Sequence, residues 1–331
     1  MIEQPFISVV MPVYNEESFI ERSLSTVQAQ DYPVGRMEIL VVDGRSTDRT
    51  RALVRAIAAD DRRITLLDNP ARDQASALNV GIQHAAGEII VRVDGHCELP
   101  PHYVSTCVRT MQRTGADNVG GQMRAIGTTP LTKAIAAATN SPFATGGSRF
   151  HYSDKPGETD TVYLGAFRRS VFDRVGLFDP SAVPNEDYEL NHRILKNGGG
   201  IYYNPQIWAR YYVRPSISLF ARQYFRYGIH KAFVIRQHPE STKLRHLAPP
   251  LFAAGLVVGA ALLPLGALWR WLYGAALTAY GLLVITFSVV QAARHGWRYL
   301  PILPIAFIIL HTAWGFGFWV GVWRWWVYRS N

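Results

Sequence analysis

The sequence predicts an α/β domain with a doubly wound, mainly parallel sheet, followed by a C-terminal region of transmembrane helices. Three observations carry this prediction. Short apolar runs alternate with amphipathic stretches through the first part of the chain, the signature of βαβ units with right-handed crossovers. Acidic and polar side chains close successive strands, where open α/β sheets bind ligands. Residues 247–327 carry only Arg270, Arg294, Arg298 and Arg324 as charges.

Taken in order, Phe6-Ile-Ser-Val-Val-Met-Pro12 reads as the first strand, ended by Pro12, with Tyr14, Asn15 and Glu16 at its carboxyl end. Ser18 to Gln30 reads as a helix with Phe19, Ile20, Leu24 and Val27 on one side,. Met37 to Asp43 is the second strand, and a turn at 44–48 feeds a helix over 49–59, capped by Thr47 or Asp48,. Ile64 to Leu67 is a third strand and Ser76 to His84 a helix. Ile89 to Val93, between Gly87 and Gly95, is a buried strand whose one charge is Arg92,. Gly115 to Met123 suggests a strand near glycine turns, and Ser141 to Ser148 a mobile loop beside the site,. Strands follow at 160–167 and 201–212, separated by helices over 168–175 and from Asn185-Glu186-Asp187 to Lys196.

No G-x-G-x-x-G follows the first strand and no Walker sequence is present, so phosphate-loop chemistry is not expected,. Tyr14 and Glu16, Asp43, and Asp94 with His96 instead end three strands. An aromatic and a carboxylate can stack on and hydrogen-bond a nucleobase, although Asp also caps turns. Asp94 and His96, two residues apart around Gly95, can face one divalent cation; carboxylate with imidazole suits Mn²⁺ best, and Mg²⁺ with more oxygen ligands,. Glu186 and Asp187 at a helix start serve the helix dipole, or act as general base toward an acceptor hydroxyl.

The net charge is +9 and the isoelectric point about 9.6. No basic run with interleaved aromatics appears in the globular part, so nucleic acid is not expected; phosphates and an anionic membrane surface account for the charge better. Met1-Ile-Glu-Gln-Pro lacks the basic start of a signal peptide, and Cys97 and Cys107 suit a reducing compartment without forming a zinc pattern,. Residues 1–215 are therefore expected to form a cytoplasmic catalytic domain. Residues 216–246 carry an amphipathic helix, with Leu219, Phe220, Tyr224, Phe225 and Phe233 opposite Arg222, Arg226, Lys231 and Arg236. It suits a membrane interface or a packed core. Residues 247–331 hold about three transmembrane helices, at 248–268, 271–292 and 300–322, with Trp and Tyr at their ends,. Lys243, Arg245 and His246 before the first span put the N-terminal domain inside the plasma membrane; Arg324 and Arg329 run against the outside placement of the C-terminus,.

The stretches 8–16, 41–48, 91–96, 115–121, 160–169, 185–191 and 222–228, in this order, resemble a family 2 inverting glycosyltransferase, and more narrowly the succinoglycan-biosynthesis ExoA-like group. The resemblance covers most of residues 6–230 and implies the GT-A (nucleotide-diphospho-sugar transferase) fold, a doubly wound mixed sheet. It implies that Tyr14 and Asp43 contact uracil or its ribose, with Pro12 and Glu16 lining the pocket. Asp94 matches the family's metal-site Asp, and His96 replaces the usual second Asp. Asp187 matches the base, beside Glu186. Gln223, Arg226 and Tyr227 resemble the Q-x-x-R-W element of processive synthases, with Arg226 binding the diphosphate; Arg45 stands where the family usually has Gly. The implied reaction moves a hexose such as glucose from a UDP-sugar to a polyprenyl-diphosphate-linked glycan, with Mn²⁺ or Mg²⁺, in cell-envelope polysaccharide synthesis. A processive synthase is a rival reading, disfavoured by so few spans. So are a non-catalytic membrane-tethered nucleotide-sugar binder and a transporter, which would need polar groups within the spans.

Overall fold

The computed structural model describes residues 4–327; Met1 to Glu3 and Arg329, both used above, lie outside them. Apolar runs become strands β1 (Ile7–Val13), β2 (Met37–Asp43), β3 (Ile64–Asp68) and β4 (Ile89–Arg92), with helices α1 (Ile20–Gln28), α2 (Thr50–Asp60) and α3 (Gln74–His84) between them. Then come β5 (Cys97–Glu98), α4 (Tyr103–Thr114), β6 (Asn118–Ile126), α5 (Pro130–Thr139), α6 (Pro142–Thr145) and β7 (Gly157–Glu158). They are followed by β8 (Tyr163–Arg168), α7 (Arg169–Val175), α8 (Glu186–Lys196) and β9 (Ile201–Tyr212). Four long helices complete the described chain: α9 (Ile217–Gln237), α10 (Leu244–Ala261), α11 (Ala267–His295) and α12 (Leu303–Val322).

The strands form one sheet in the order β3-β2-β1-β4-β8-β6-β9-β5, with β7 added beside β9. β1 pairs parallel with β2 and β4, and β2 with β3, as consecutive βαβ units require,. Beyond β4 the sense changes: β8 runs antiparallel to both β4 and β6. The sheet is therefore mixed rather than mainly parallel. Every residue of β1 is buried. One face packs Val9, Met11 and Val13 with Ile20, Leu24 and Val27 of α1 and Val104, Cys107 and Met111 of α4, all essentially inaccessible. Fully burying each such side chain is worth about 1.5–3 kcal/mol. β1 also runs through Pro12 to Val13; the ladder to β4 ends at Val10–Arg92, so the missing Pro12 N–H leaves no bond unmade on that side,.

The chain divides into two compact units, Met1–Arg124 with Tyr152–Tyr211, and Ala125–His151 with Tyr212–Asn331. Residues 125–151 thus pack with the C-terminal helices, although the sequence reading kept them in the first domain. The expected mobile loop at 141–148 instead holds the short helix α6, started by a hydrogen bond from the Phe143 N–H to Ser141 Oγ at 3.3 Å. The Phe143 ring stacks on Phe287 of α11 at 4.5 Å. Its carbonyl lies 2.9 Å from His311 Nε2 of α12, so Nε2 donates and Nδ1 accepts from Tyr280 Oη at 3.0 Å,. An aromatic anchor and two satisfied polar bonds hold the segment.

Among the described residues of this second unit three helices are long and apolar enough to cross a membrane: Leu244–Ala261, Ala267–His295 and Leu303–Trp326. α9 lies along α12 at close range. A Cβ at Gly228 would meet the Trp314 carbonyl, one at Gly317 the Phe225 carbonyl, and one at Gly321 the Ile229 carbonyl. Small residues let the two backbones approach in this way. Ala232, Ile235 and Phe318 are buried between them.

Candidate active site

The loops leaving β1 and β2 are laced together. Asn15 takes φ 55°, a left-handed value that Asn tolerates,. There its N–H donates to Ser46 Oγ at 2.9 Å, and its Oδ1 accepts from the Thr47 N–H at 2.8 Å. The Glu16 N–H donates to Thr50 Oγ1 at 2.8 Å, and Asp48 Oδ1 accepts from the Thr50 N–H at 2.9 Å. Asp48, not Thr47, therefore serves the start of α2. Arg45 sits at φ 59° in the same turn, a left-handed conformation that Gly adopts without the crowding a Cβ brings.

This lacing sets Tyr14, 46% exposed, at the rim, beside Gly44, while Asp43 lies fully buried at the end of β2. Asp43 Oδ2 accepts from Arg51 Nη1 at 2.7 Å and from the Ser46 N–H at 3.1 Å. Arg51 also bonds Asp68 Oδ1 at 2.8 Å. Among the described residues Asp43 Oδ1 is buried without a partner, and a buried carboxylate oxygen normally has one. The pattern leaves an acceptor for a ligand N–H or O–H.

The second cluster stands at the end of β4. Arg92, 5% exposed, points its guanidinium at three carboxylates. Nε donates to Asp94 Oδ1 at 2.9 Å and Nη2 to Asp94 Oδ2 at 3.4 Å. Nη1 donates to Glu186 Oε1 at 3.3 Å and to Asp187 Oδ1. A buried charge needs such partners. α8, which begins with Glu186 and Asp187, is itself anchored. Arg193 forks onto Glu189 at 2.7 Å and its Nη2 reaches the Leu177 carbonyl at 2.7 Å. Asn191 Oδ1 accepts from Asn118 Nδ2 at 2.8 Å, and its amide donates to Thr161 Oγ1 at 3.2 Å.

The environment splits the carboxylates. Burial opposes ionisation of Asp94, but Arg92 outweighs it, helped by His96 and Gln74, and holds the pKa below the usual range. Gln74 Nε2 donates to Asp94 Oδ1 at 3.1 Å. Burial pushes Glu186 up against the pull of Arg92, and its Oε2 is buried without a partner among the described residues. Desolvation, with Glu186 and Asp94 adding to it and Arg92 opposing, pushes Asp187 up to about 7. The Asp187 side chain keeps 34% of its surface open, against 2% for Glu186.

His96 Nδ1 lies 2.9 Å from Glu16 Oε1. Gly95 permits the approach, since a Cβ there would stand 2.9 Å from Val13 Cγ1 and 3.1 Å from Glu16 Cγ. A carboxylate on Nδ1 orients the imidazole ring, as beside metal-binding histidines. With Asp94 ionised nearby, and three carboxylates facing one guanidinium, the donor set fits a divalent ion of the Mn²⁺ or Mg²⁺ type.

The structure thus brings together Asp94, Glu186 and Asp187, and separately Glu16 with His96. Pro12 is buried inside β1. Gln223, Arg226 and Tyr227 lie on α9 of the second unit, where Gln223 Nε2 donates to Tyr227 Oη at 2.9 Å. Sequence reasoning missed the roles of Arg92, Arg51 and Gln74. For Arg92 the signal was present: a lone charge in an apolar strand demands a partner.

Comparison with known proteins shows the family and the fold. The profile of glycosyl transferase family 2 matches residues 8–176. The chain is 31% identical over 313 residues to the succinoglycan biosynthesis protein ExoA of Rhizobium meliloti (strain 1021), covering 94% of this chain and 93% of that protein. It is 31% identical over 240 residues to the dolichyl N-acetyl-alpha-D-glucosaminyl phosphate 3-beta-D-2,3-diacetamido-2,3-dideoxy-beta-D-glucuronosyltransferase of Methanococcus voltae, covering 70% and 74%. The solved mannosyltransferase PcManGT of Pyrobaculum calidifontis, in complex with GDP-Man and Mn²⁺, superposes with a TM-score of 0.66 at 22% identity, over 92% of this chain and 88% of that one. The fold is accordingly of the GT-A type, and the chain belongs to glycosyltransferase family 2.

Proposed function

We propose that this glycosyltransferase moves a hexose from a UDP-sugar to a polyprenyl-diphosphate-linked glycan at the cytoplasmic face of the plasma membrane, with inversion at the anomeric carbon. The observation that carries the reading is the joining of Asp94 to Asp187 through one buried guanidinium, so that a donor-side carboxylate and a base share one cluster. Tyr14 stacks on uracil and the unpartnered Asp43 Oδ1 accepts from the nucleoside. Asp94 and His96 hold the divalent ion, with Glu16 orienting the imidazole. The ion supplies charge neutralisation for the departing diphosphate. Asp187 takes the proton of the acceptor hydroxyl; its partial exposure favours it over the buried Glu186. A base poised near 7 suits this work at neutral pH. One displacement turns an α-linked donor into a β-linkage.

The three apolar helices support a membrane setting, and the archaeal relative named for a dolichyl phosphate-linked acceptor supports a lipid-linked one. The test is UDP release by the full chain in nanodiscs with Mn²⁺, across a panel of UDP-sugars with GDP-mannose as a contrast, with and without a lipid-diphosphate glycan. Lipid-dependent release is expected. Asp187→Asn should lower kcat about 10²–10⁴-fold while leaving UDP affinity within about threefold. Release that Asp187→Asn leaves intact would remove Asp187 from the base role.

A further inference from the structure

We propose that Arg92 is the resident counter-cation of the metal site: it occupies Asp94 when no nucleotide is bound, keeps the affinity for free divalent ions low, and makes the ion enter with the donor's diphosphate. The inference rests on reading Asp94 as a metal carboxylate.

All three guanidinium nitrogens of Arg92 are spent on carboxylates. Nε and Nη2 span both oxygens of Asp94, and Nη1 reaches Glu186 and Asp187 across to α8. Asp94 Oδ1 also accepts from Gln74, so Asp94 is heavily engaged by protein donors. The Arg92 side chain is 5% exposed, and little water is available there to screen it from an arriving ion. A divalent cation reaching Asp94 alone meets a fixed positive charge and must displace or share a two-pronged bond. A cation carried on a diphosphate brings anionic oxygens of its own, which offset that repulsion. The same guanidinium holds Asp187, so the base keeps its place whether or not the ion has arrived. The cluster also carries one carboxylate oxygen, Glu186 Oε2, that is buried and unpartnered; it can take up an Nη group of Arg92 when Asp94 turns to the ion.

The experiment measures Mn²⁺ alone, by the electron paramagnetic resonance signal of the free ion, on the full chain in nanodiscs. The wild type should bind Mn²⁺ weakly, and UDP should tighten that binding at least tenfold. Arg92→Gln should bind Mn²⁺ without nucleotide at least tenfold more tightly than the wild type, and should gain less from UDP. Arg92→Lys keeps the charge and should stay within about threefold of the wild type. If Arg92→Gln fails to fold by circular dichroism and gel filtration, Arg92→Gln combined with Glu186→Gln removes one charge of each sign and should show the same gain. Unchanged or weaker Mn²⁺ binding in whichever Arg92→Gln form folds overturns the proposal. Mn²⁺ held by the wild type with UDP and lost in Asp94→Asn would, in that event, leave the metal reading of Asp94 standing. No Mn²⁺ binding in any protein, with or without UDP, would remove both.

Discussion

If Asp187 is the base, the pH dependence of transfer follows from its surroundings. Its carboxyl is pushed up to about 7, first by desolvation and then by the charges of Glu186 and Asp94, against the pull of Arg92. A base works ionised, so the rate should be low at acid pH and rise as the proton leaves. With a pKa of about 7, roughly one tenth of Asp187 is ionised at pH 6 and roughly nine tenths at pH 8, which gives a rise of about tenfold over that interval. An ordinary aspartate, titrating near pH ~4, would give a flat profile there. The sharper perturbation is Glu186→Gln. It removes a neighbouring charge that disfavours ionisation of Asp187 while keeping the size of the side chain. The rising limb should therefore move to lower pH. The assay is the initial rate of UDP release between about pH 5.5 and 9 at constant ionic strength and saturating Mn²⁺, with chemistry slower than product release. A wild-type profile that is flat between pH 6 and 8 would refute the argument. So would a limb that Glu186→Gln leaves in place or moves upward.

Two further outcomes test other parts of the fold. Asp43→Ala removes the buried acceptor at the end of β2, and a charge-assisted hydrogen bond is worth about 1.5–3 kcal/mol; UDP affinity by calorimetry should fall about 10- to 150-fold, and unchanged affinity would take Asp43 out of the nucleotide pocket. Gly317→Ala places a Cβ against the Phe225 carbonyl, whereas a Cβ at Gly274 meets nothing within 4 Å. The first should destabilise the helical unit by about 1–3 kcal/mol and lower its melting temperature in detergent, and the second should not; equal melting points would mean that α9 and α12 are not closely packed.

How far the sequence reveals this molecule depends on how local each determinant is. β1 to β4 are legible because their apolar runs lie between turn residues a few positions away. The carboxyl ends of those strands then mark Tyr14, Asp43 and Asp94 as candidates for a ligand site, by topology alone. α4 is equally regular, with Tyr103, Val104, Cys107, Val108 and Met111 buried, and its apolar spacing was there to be read. α6 was not legible in the same way: nothing in its short Gly- and Ser-rich surroundings says that Phe143 will lie on Phe287, more than a hundred residues on. Nor does local pattern reveal that β8 turns the sheet antiparallel beside β4.

The two arginines that sequence reasoning left without an account mark the same limit from different sides. Arg45 is explained by backbone conformation, a φ of 59° that residue type only hints at. Left-handed backbone costs a non-glycine residue about 1–2 kcal/mol, and the turn holds it because Asn15, Ser46 and Thr47 are hydrogen-bonded across two loops. Arg92 is explained by partners: Asp94 is two residues away, but Glu186 and Asp187 are 94 and 95 residues away. A lone arginine in a buried strand states that anionic partners exist, because an unpaired charge there would be too costly. It does not say which of the chain's carboxylates they are. Only the fold can answer that. Its answer places the arginine between Asp94 on one side and Glu186 and Asp187 on the other, so one guanidinium ties the end of β4 to the start of α8.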